Sequence, residues 1–438
     1  MSVEEFTQRL IAACQKENSE KFLDDIYILQ PDAMVNKVAS KLKSVDTARI
    51  TQVVSSFARN LPLSPTDIEH FVEFVVVLIE AAAIGEKNYV RYFDKLHRAL
   101  ESLLRIYKTL TNGFANNWLM PVLKTMLITL KMIALEANRR SLLDEGTVVE
   151  KLENVYTLIQ GFLANVISIK NPNLLEEKTR ITLVCNCQLF WINFKLSRYK
   201  INQGLVKGAD DFLIRESIPQ RIFQKSDIVM YGFMSGRQAI VEDRYFDAVK
   251  QFDAIFQLCK KDSEKNIRLI LKYLFFTKLL TGILIKEQYM QDYGMGELYK
   301  LGKCVTMGDL RTFLKIVDGN LAFWVKRKLI FVIDKLRMLT YRNFFKRVKL
   351  LLLKANIAKS QVDLETFKKA INSQMRGYHE YEIDEIECVL ANLISQGYIK
   401  GYISHKLKKI VFSEKNPFPR VEQVGFKDQP DRMWFIKK

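Results

Sequence analysis

Apolar residues recur three or four positions apart along nearly the whole chain of 438 residues, which predicts helices. The most apolar runs, residues 74–84 and 269–285, are interrupted by charged residues and are shorter than the roughly 18 uninterrupted apolar residues of a membrane span. Both runs therefore predict buried helices, with no membrane insertion. No proline lies between Pro219 and Pro417, so turns there must use Gly, Asp or Asn. The candidate turn residues are Gly282, Gly308 and Gly319.

Residues 230–259 predict two helices that cross closely. Gly236 is followed by Ala248, Phe252 and Ile255 at spacings of 12, 4 and 3. Small and aromatic residues at these spacings are typical of a tetratricopeptide-type hairpin, although the Trp and Leu expected before Gly236 are absent. The pattern fits either a true repeat unit or an ordinary amphipathic pair. A solenoid of such hairpins accounts for the chain length and the scarcity of proline.

The last hundred residues begin with an amphipathic helix over residues 341–352. Its apolar stripe consists of Tyr341, Phe344, Phe345, Val348, Leu351 and Leu352. The opposite, basic side carries Arg342, Lys346 and Lys349. We expect the apolar side to face the core and the basic side to face solvent.

Two further helices and two strands complete this region. Asp363 is placed to cap the second helix, and the third is predicted to begin at Asp384, whose spacing to Glu387 is that of a capping box. Gly397 is placed to end the third helix. Period two then predicts strands over residues 398–404 and 409–413, joined by a turn at 405–408. Three helices followed by a two-stranded wing is the order of a winged helix.

Breaks in the pattern divide the chain into four predicted parts. Ser64-Pro65-Thr66-Asp67 is typical of a helix start, whereas residues 113–121, 171–173 and 204–208 predict junctions or loops. The predicted fold is mainly α, a TPR-like α-solenoid followed by a C-terminal winged helix. The parts are an N-terminal helical array over 1–210, helical repeats over 211–338, a winged helix over 339–415 and a C-terminal tail over 416–438.

The net charge is +18, with 67 Lys and Arg against 49 Asp and Glu, and it is concentrated near the C-terminus. Residues 321–438 contain 24 basic and 12 acidic residues. Two basic clusters converge on the predicted winged helix, which favours contact with nucleic-acid phosphates over a merely solvated face. The predicted nucleic-acid-binding residues are Arg342, Lys346, Arg347, Lys349, Lys400, Lys406, Lys408 and Lys409. The third helix begins with acids, which argues against reading of base sequence.

No specific catalytic or cofactor motif is present. Gly294-Met295-Gly296 lacks the rest of a phosphate loop, and the four histidines match no zinc-protease motif. Cys185 and Cys187 form a lone pair inside an apolar run, so two buried thiols are a better interpretation than a metal site. The scattered cysteines fit a reducing compartment. We therefore expect a chain that is not an enzyme, with no cofactor and no metal.

Several segments together resemble the PCI-domain family, named for the proteasome lid, the COP-nine signalosome and translation initiation factor three. They are residues 339–346 (LTYRNFFK), 383–394 (IDEIECVLANLI), 400–405 (KGYISH), 415–419 (KNPFP), 236–239 (GRQA) and 308–310 (GDL). More closely, they resemble the branch that contains the fungal protein described as the twelfth signalosome subunit and the PCI subunit of the TREX-two messenger-RNA export complex. The resemblance covers about residues 220–420.

The resemblance implies a non-catalytic scaffold that pairs with a PCI-type or Sac-type subunit, holds a small acidic disordered protein and binds RNA or DNA on a joint basic surface. A strand edge near Tyr398, Tyr402 and Ile403 could accept the partner. Two roles stay open, messenger-RNA export at the nuclear pore and membership of a signalosome-like assembly that regulates cullin modification, with a slight preference for the second. The alternative is a purely protein-binding subunit. Either role implies a nuclear and cytoplasmic location.

Overall fold

The computed structural model describes residues 2–30, 32–42, 46–109, 118–144, 150–168, 175–215, 220–357 and 360–424. The chain forms two compact units, Met1–Asp227 and Ile228–Lys438. Helices dominate the described residues of both units, and the predicted mainly α fold with a C-terminal winged helix is confirmed. No helix among the described residues is long and apolar enough to cross a membrane.

The described residues of the first unit form ten complete helices. They are α1 Val3–Gln15, α2 Ser19–Ile26, α3 Met34–Lys41, α4 Thr47–Ala58, α5 Pro65–Ile84, α6 Tyr89–Thr109, α7 Leu119–Asp144, α8 Lys151–Ser168, α9 Leu175–Lys195 and α10 Tyr199–Arg215. Helix α5 begins as predicted, because the Ser64 hydroxyl accepts the Asp67 N–H at 3.2 Å and Pro65 takes the first helical position.

The predicted loop over residues 204–208 is wrong, since these residues lie inside α10. One face of α10 is buried through Val206, Ala209 and Leu213, and the helix packs against α9. Two helical glycines cost roughly 1 kcal/mol each, and burial of that face offsets the cost. The predicted boundary at 210 therefore divides a helix. The predicted junction at 171–173, and most of the one at 113–121, lie outside the described residues.

Helix α9 buries both of its cysteines, as expected. Cys185 is 0% exposed, and burial raises the pKa of its thiol to about 12. On α7, the Lys131 amine donates to the Gln188 amide oxygen at 2.6 Å and lies 4.4 Å from the Trp191 ring centroid. Burial lowers the pKa of Lys131 to about 8. This lysine therefore belongs to the interior of the first unit.

The second unit begins in the first turn of α11 and continues through a series of short helices. They are α11 Lys225–Val241, α12 Tyr245–Leu258, α13 Glu264–Leu280, α14 Glu287–Asp292, α15 Gly296–Met307, α16 Leu310–Gly319, α17 Leu321–Lys326 and α18 Ile330–Lys354. The predicted turn glycines lie where expected. Gly282 and Gly308 have φ of +88° and +67°, and Gly319 ends α16.

The predicted close crossing of α11 and α12 is confirmed. A Cβ atom at Gly236 would lie 2.8 Å from the Phe252 ring, and Ala248, Phe252 and Ile255 are all fully buried. The missing side chain at Gly236 therefore lets the Phe252 ring approach the backbone of α11. The Trp and Leu of the repeat pattern are not required for this contact.

The winged helix consists of the C-terminal part of α18, then β1 Gln361–Asp363, α19 Leu364–Met375, α20 Ile383–Ser395, β2 Gly401–Ser404 and β3 Lys409–Phe412. The three strands form one antiparallel sheet in the order β1-β3-β2. Strand β1 was not predicted, because three residues are too few to show period two. The boundary predicted at 339 lies inside α18, which runs continuously through it and contributes its C-terminal part to the winged helix.

Helix α20 begins at Ile383, slightly before the predicted start. Its N-cap is Glu382, whose N–H donates to the Glu385 carboxylate at 2.9 Å, so the predicted capping box at Asp384 and Glu387 is wrong. Gly397 ends the helical region as predicted, with φ +78°. Because Glu382 and Glu385 form the capping box, the carboxylates of Asp384 and Glu387 can pair with side chains of the wing.

Gly308 joins the helical repeats to the winged helix. A Cβ atom at this position would lie 2.4 Å from the Phe344 backbone nitrogen on α18. Asn343 donates to the Val305 carbonyl at 2.8 Å, and the Gln374 amide donates to the Gly308 carbonyl at 3.2 Å. Side chains of the winged helix thus satisfy carbonyls that the end of α15 leaves free.

We predict that Gly308→Ala lowers the free energy of unfolding by at least about 3 kcal/mol, because the new methyl group would collide with backbone atoms and the φ is positive. Gly377→Ala is the matched control. Gly377 has φ +73° but no atom within 4 Å of a Cβ, so this change should cost only about 1–2 kcal/mol. Urea unfolding of the two variants measures the difference, and equal costs would contradict the proposed close contact.

Candidate nucleic-acid and partner interface

The segment after β3 folds back over α18 and covers Arg342. The guanidinium donates to the Pro419 carbonyl at 2.6 Å and to the Phe418 carbonyl at 3.4 Å, and it lies 6.0 Å from the Phe418 ring centroid. Arg342 is only 5% exposed. The expectation that Arg342 faces solvent is wrong, because one guanidinium nitrogen donates to these backbone carbonyls and another donates to the Asn343 side-chain oxygen at 2.7 Å inside the fold. Residues 416–424 accordingly belong to the winged-helix unit rather than to a separate tail.

Lys349 and Lys346 share this covered side of α18. Lys349 is 6% exposed, and its amine lies 4.5 Å from the Phe412 ring centroid on β3. Burial lowers the pKa of Lys349, and burial and the nearby Arg342 lower the pKa of Lys346. The stripe predicted from the sequence exists, but it faces the C-terminal segment. Part of the predicted apolar side is instead exposed, with Leu351 at 65%.

Arg347 is exposed, and one of its guanidinium nitrogens donates to the Met307 carbonyl at 2.6 Å. This contact places a cation at the C-terminal end of α15, where the helix dipole favours positive charge. Arg347 therefore stabilises the junction at Gly308 while its side chain remains exposed.

Carboxylates form ion pairs with two of the lysines that were predicted to bind nucleic acid on the wing. Lys408 lies 3.2 Å from the Asp384 carboxylate and 3.8 Å from Glu387, and Lys409 lies 3.4 Å from Asp363. The Glu387 carboxylate also accepts from His405 Nδ1 at 2.9 Å. The acidic start of α20 thus supports the wing as well as the helix N-terminus. These ion pairs reduce the positive field that the wing presents to a ligand.

Lys400 and Lys406 are the predicted wing cations that remain exposed without an ion pair among the described residues. The Lys400 N–H donates to the Pro417 carbonyl at 2.9 Å and its carbonyl accepts from Ser413, so its backbone is fixed while its amine faces solvent. Lys406 lies in the turn between β2 and β3. The structure therefore reduces the predicted basic face to a few wing positions and Arg347.

Strand β2 lies at an edge of the sheet, and it holds two of the three predicted partner-binding residues. Tyr402 is 63% exposed and Leu407, in the adjoining turn, is 68% exposed. Ile403 instead packs partly against the winged-helix core. An edge strand with an exposed aromatic side chain is able to accept another strand or an apolar partner surface. Leu407 was not predicted, since a single apolar residue in a polar turn gives no periodic signal.

Tyr398 is placed differently from its predicted role. It is partly buried, and burial raises the pKa of its phenol while the nearby Arg342 opposes that rise. The Asp243 carboxylate is close enough to raise the pKa of the same phenol. It also accepts a hydrogen bond from the Tyr245 hydroxyl and forms an ion pair with Lys335 at 3.5 Å. Tyr398 therefore helps to connect the winged helix to the α11–α12 hairpin rather than facing a partner.

A metal site is not evident in the part of the chain that the structure describes. No group of three or more His, Cys, Asp or Glu residues is placed to hold a metal there. Cys388 is exposed, whereas Cys14, Cys185, Cys187 and Cys304 are buried.

Comparison with known proteins agrees with this architecture. The family profile described as "PCI domain" matches residues 286–414. The chain is 28% identical to PCI domain-containing protein 2 from Xenopus laevis, over 78% of this chain and 82% of that protein. It is 31% identical to a PCI domain-containing protein 2 homolog from Caenorhabditis elegans, over 54% and 55%. A Protein CSN12 homolog from Gibberella zeae is 24% identical over 94% of this chain and 92% of that protein.

Helical repeats that end in a winged helix, together with these matches, define a scaffold-type PCI-domain protein. A PCI domain is present over residues 286–414, and relatives of the chain carry the names PCI domain-containing protein 2 and CSN12 homolog, which confirms the predicted resemblance to the PCI family and to this branch.

We predict that Arg342→Gln destabilises the chain by about 2–4 kcal/mol, because buried carbonyls lose a charged donor. Lys406→Gln, which removes the same charge from an exposed turn, should stay within about 0.5 kcal/mol. Urea unfolding measures both effects. An Arg342→Gln variant as stable as the wild type would show that the contact with Pro419 contributes nothing to the fold.

Proposed function

We propose that this chain is a non-catalytic subunit that pairs with a second winged-helix subunit, holds a small acidic protein and contacts nucleic-acid phosphates beside that junction. The observation that carries the proposal is the exposed edge strand β2, with Tyr402 and Leu407 next to the unpaired cations Lys400 and Lys406. A partner strand that pairs with β2 would extend the sheet and bring its own surface beside these lysines. The charge of +18 would suit an acidic partner.

Nucleic-acid contact at this site would be independent of base sequence. The exposed cations lie on the wing and on α18, while α20 presents acids at its start. Lysine amines bind phosphates as point charges, and carboxylates repel them, so a strand would pass along the wing rather than insert under α20. Nuclear and cytoplasmic location, and a role in messenger-RNA export or in a signalosome-like assembly, are part of the same proposal.

One observation favours the alternative of a purely protein-binding subunit. Of the eight predicted nucleic-acid-binding residues, Arg342 and Lys349 are buried, and Lys408 and Lys409 have carboxylate partners. These four basic residues stabilise the winged helix, so fewer positive charges are left to bind phosphates. The two candidates differ in whether nucleic acid binds, and both need the exposed strand edge.

For the partner, we predict that Tyr402→Asp weakens binding of a second winged-helix subunit at least tenfold, which corresponds to about 1.4 kcal/mol. The reason is that the new carboxylate would be buried in the interface between β2 and the partner. Phe331→Asp is the control, since Phe331 is 70% exposed on α18 and distant in sequence from the wing. Affinity purification with quantitative mass spectrometry compares the tagged variants. Equal recovery of the winged-helix partner with both variants would refute pairing through β2.

For nucleic acid, we predict that the double variant Lys400→Gln, Lys406→Gln weakens binding of a 20-nucleotide oligouridine and lowers the slope of log affinity against log salt by about 1.4. The matched control is Lys408→Gln, Lys409→Gln, which removes the same charge from ion-paired positions. Fluorescence anisotropy over a salt series measures both. If the purified complex with its partner binds no RNA at low salt, the protein-binding alternative is correct.

A further inference from the structure

A second group of cations lies on the helical repeats, away from the wing in sequence. Arg268 and Lys272 are one turn apart on α13, and Arg327 follows the end of α17. We call these three residues the cation cluster. The Lys272 amine lies 5.0 Å from the Phe323 ring centroid, and the Arg327 guanidinium lies 6.0 Å from the same centroid. One aromatic ring therefore brings cations from two helical segments together.

The cluster is poorly compensated by acids. Within the described residues, no carboxylate lies within ion-pair distance of Lys272 or Arg327, and Arg268 has only the exposed Glu264 at 3.8 Å. By contrast, Lys278 further along α13 lies 2.8 Å from the Asp253 carboxylate. Burial lowers the pKa of Lys272, and the charges of Arg327 and Arg268 lower it further. These like charges repel one another in the free chain.

Such an arrangement costs stability unless an anion binds, which is typical of a ligand site rather than of a solubilising surface. Two arginines and a lysine provide up to about thirteen N–H groups but no acceptor, so the ligand must supply several anionic oxygens. The Phe323 ring is already occupied by its two cations and by the edge of Trp324, with ring centroids 4.9 Å apart. The site therefore offers charge and no platform for a stacked base.

The placement of apolar residues favours phosphates over an acidic peptide. A peptide that binds a helical surface usually anchors apolar side chains beside its charges. The exposed apolar residues of α17, Leu321 and Val325, lie about 160° or more around the helix from Phe323, on the basis of 100° per residue. A phosphodiester backbone needs no such anchor.

We propose that the cation cluster Arg268, Lys272 and Arg327 binds backbone phosphates of the nucleic acid whose other contacts lie on the wing. This inference rests on the proposed function, and it extends the binding surface from the winged helix to the helical repeats. Helix α18, about 37 Å long for 25 residues, connects the two surfaces.

The test compares two triple variants of the full chain. The first, Arg268→Gln, Lys272→Gln, Arg327→Gln, removes the cluster. The control, Lys300→Gln, Arg337→Gln, Lys368→Gln, removes the same charge from residues that have carboxylate partners at 2.7–2.9 Å. With a 20-nucleotide oligouridine, we expect the first variant to bind at least tenfold more weakly at about 0.1 M salt and to lose about 2 from the salt slope. The control should change little, and the first variant should be no less thermally stable than the wild type.

The outcomes separate this inference from the proposed function. If the wing variant at Lys400 and Lys406 loses RNA binding while the cluster variant binds like its control, the proposed function stands and the inference is wrong. If only the cluster variant loses binding, the inference stands and the wing is not the contact. If the cluster variant loses binding of a 20-residue polyglutamate but not of RNA, the cluster is a protein-docking site and the inference is wrong. Absence of RNA binding by the wild-type chain would overturn both.

Discussion

The close approach of the Gly308 turn to α18 is the constraint on which the rest of the second unit depends. No side chain fits between this turn and the Phe344 backbone, so the helical repeats and the winged helix meet at main-chain distance. At this contact, carbonyls at the end of α15 and at Gly308 accept hydrogen bonds from the winged helix, donated by the side chains of Asn343, Arg347 and Gln374. The junction therefore fixes the direction of α18. Every surface of the winged helix follows from that direction.

Much of the basic charge near the C-terminus stabilises this module rather than facing a ligand. Arg342 holds the segment around Pro419, and Lys349 covers the Phe412 ring. Charged donors are well suited to this task, because a guanidinium satisfies several carbonyls while its stem packs against apolar groups. The residual surface charge is therefore local. Within the second unit, the wing and the cation cluster of the helical repeats each retain exposed cations.

The two exposed sites, strand β2 and the cation cluster, share one physical property. Among the described residues, strand β2 pairs with another strand on one side only, and the cation cluster has a single carboxylate partner, Glu264 at 3.8 Å from Arg268. Each arrangement is less favourable in the isolated chain than in a complex that pairs the strand or neutralises the charge. A scaffold protein functions through such surfaces, since its fold supplies rigid positions and its partners supply the missing interactions.

The sequence by itself determined the features that depend on local spacing. These are the helices, the close crossing at Gly236, the turn at Gly308, the order of the winged helix and the resemblance of its motifs to the PCI family. Short-range periodicity and turn chemistry encode all of them. Tertiary structure decided which side of α18 is buried, because Arg342 and Pro419 are 77 positions apart and only the folded chain brings them together. The unpredicted strand β1 and the carboxylate partners of the wing lysines depend on contacts of the same long-range kind. A helical pattern shows that two faces differ, and only packing shows what covers each one.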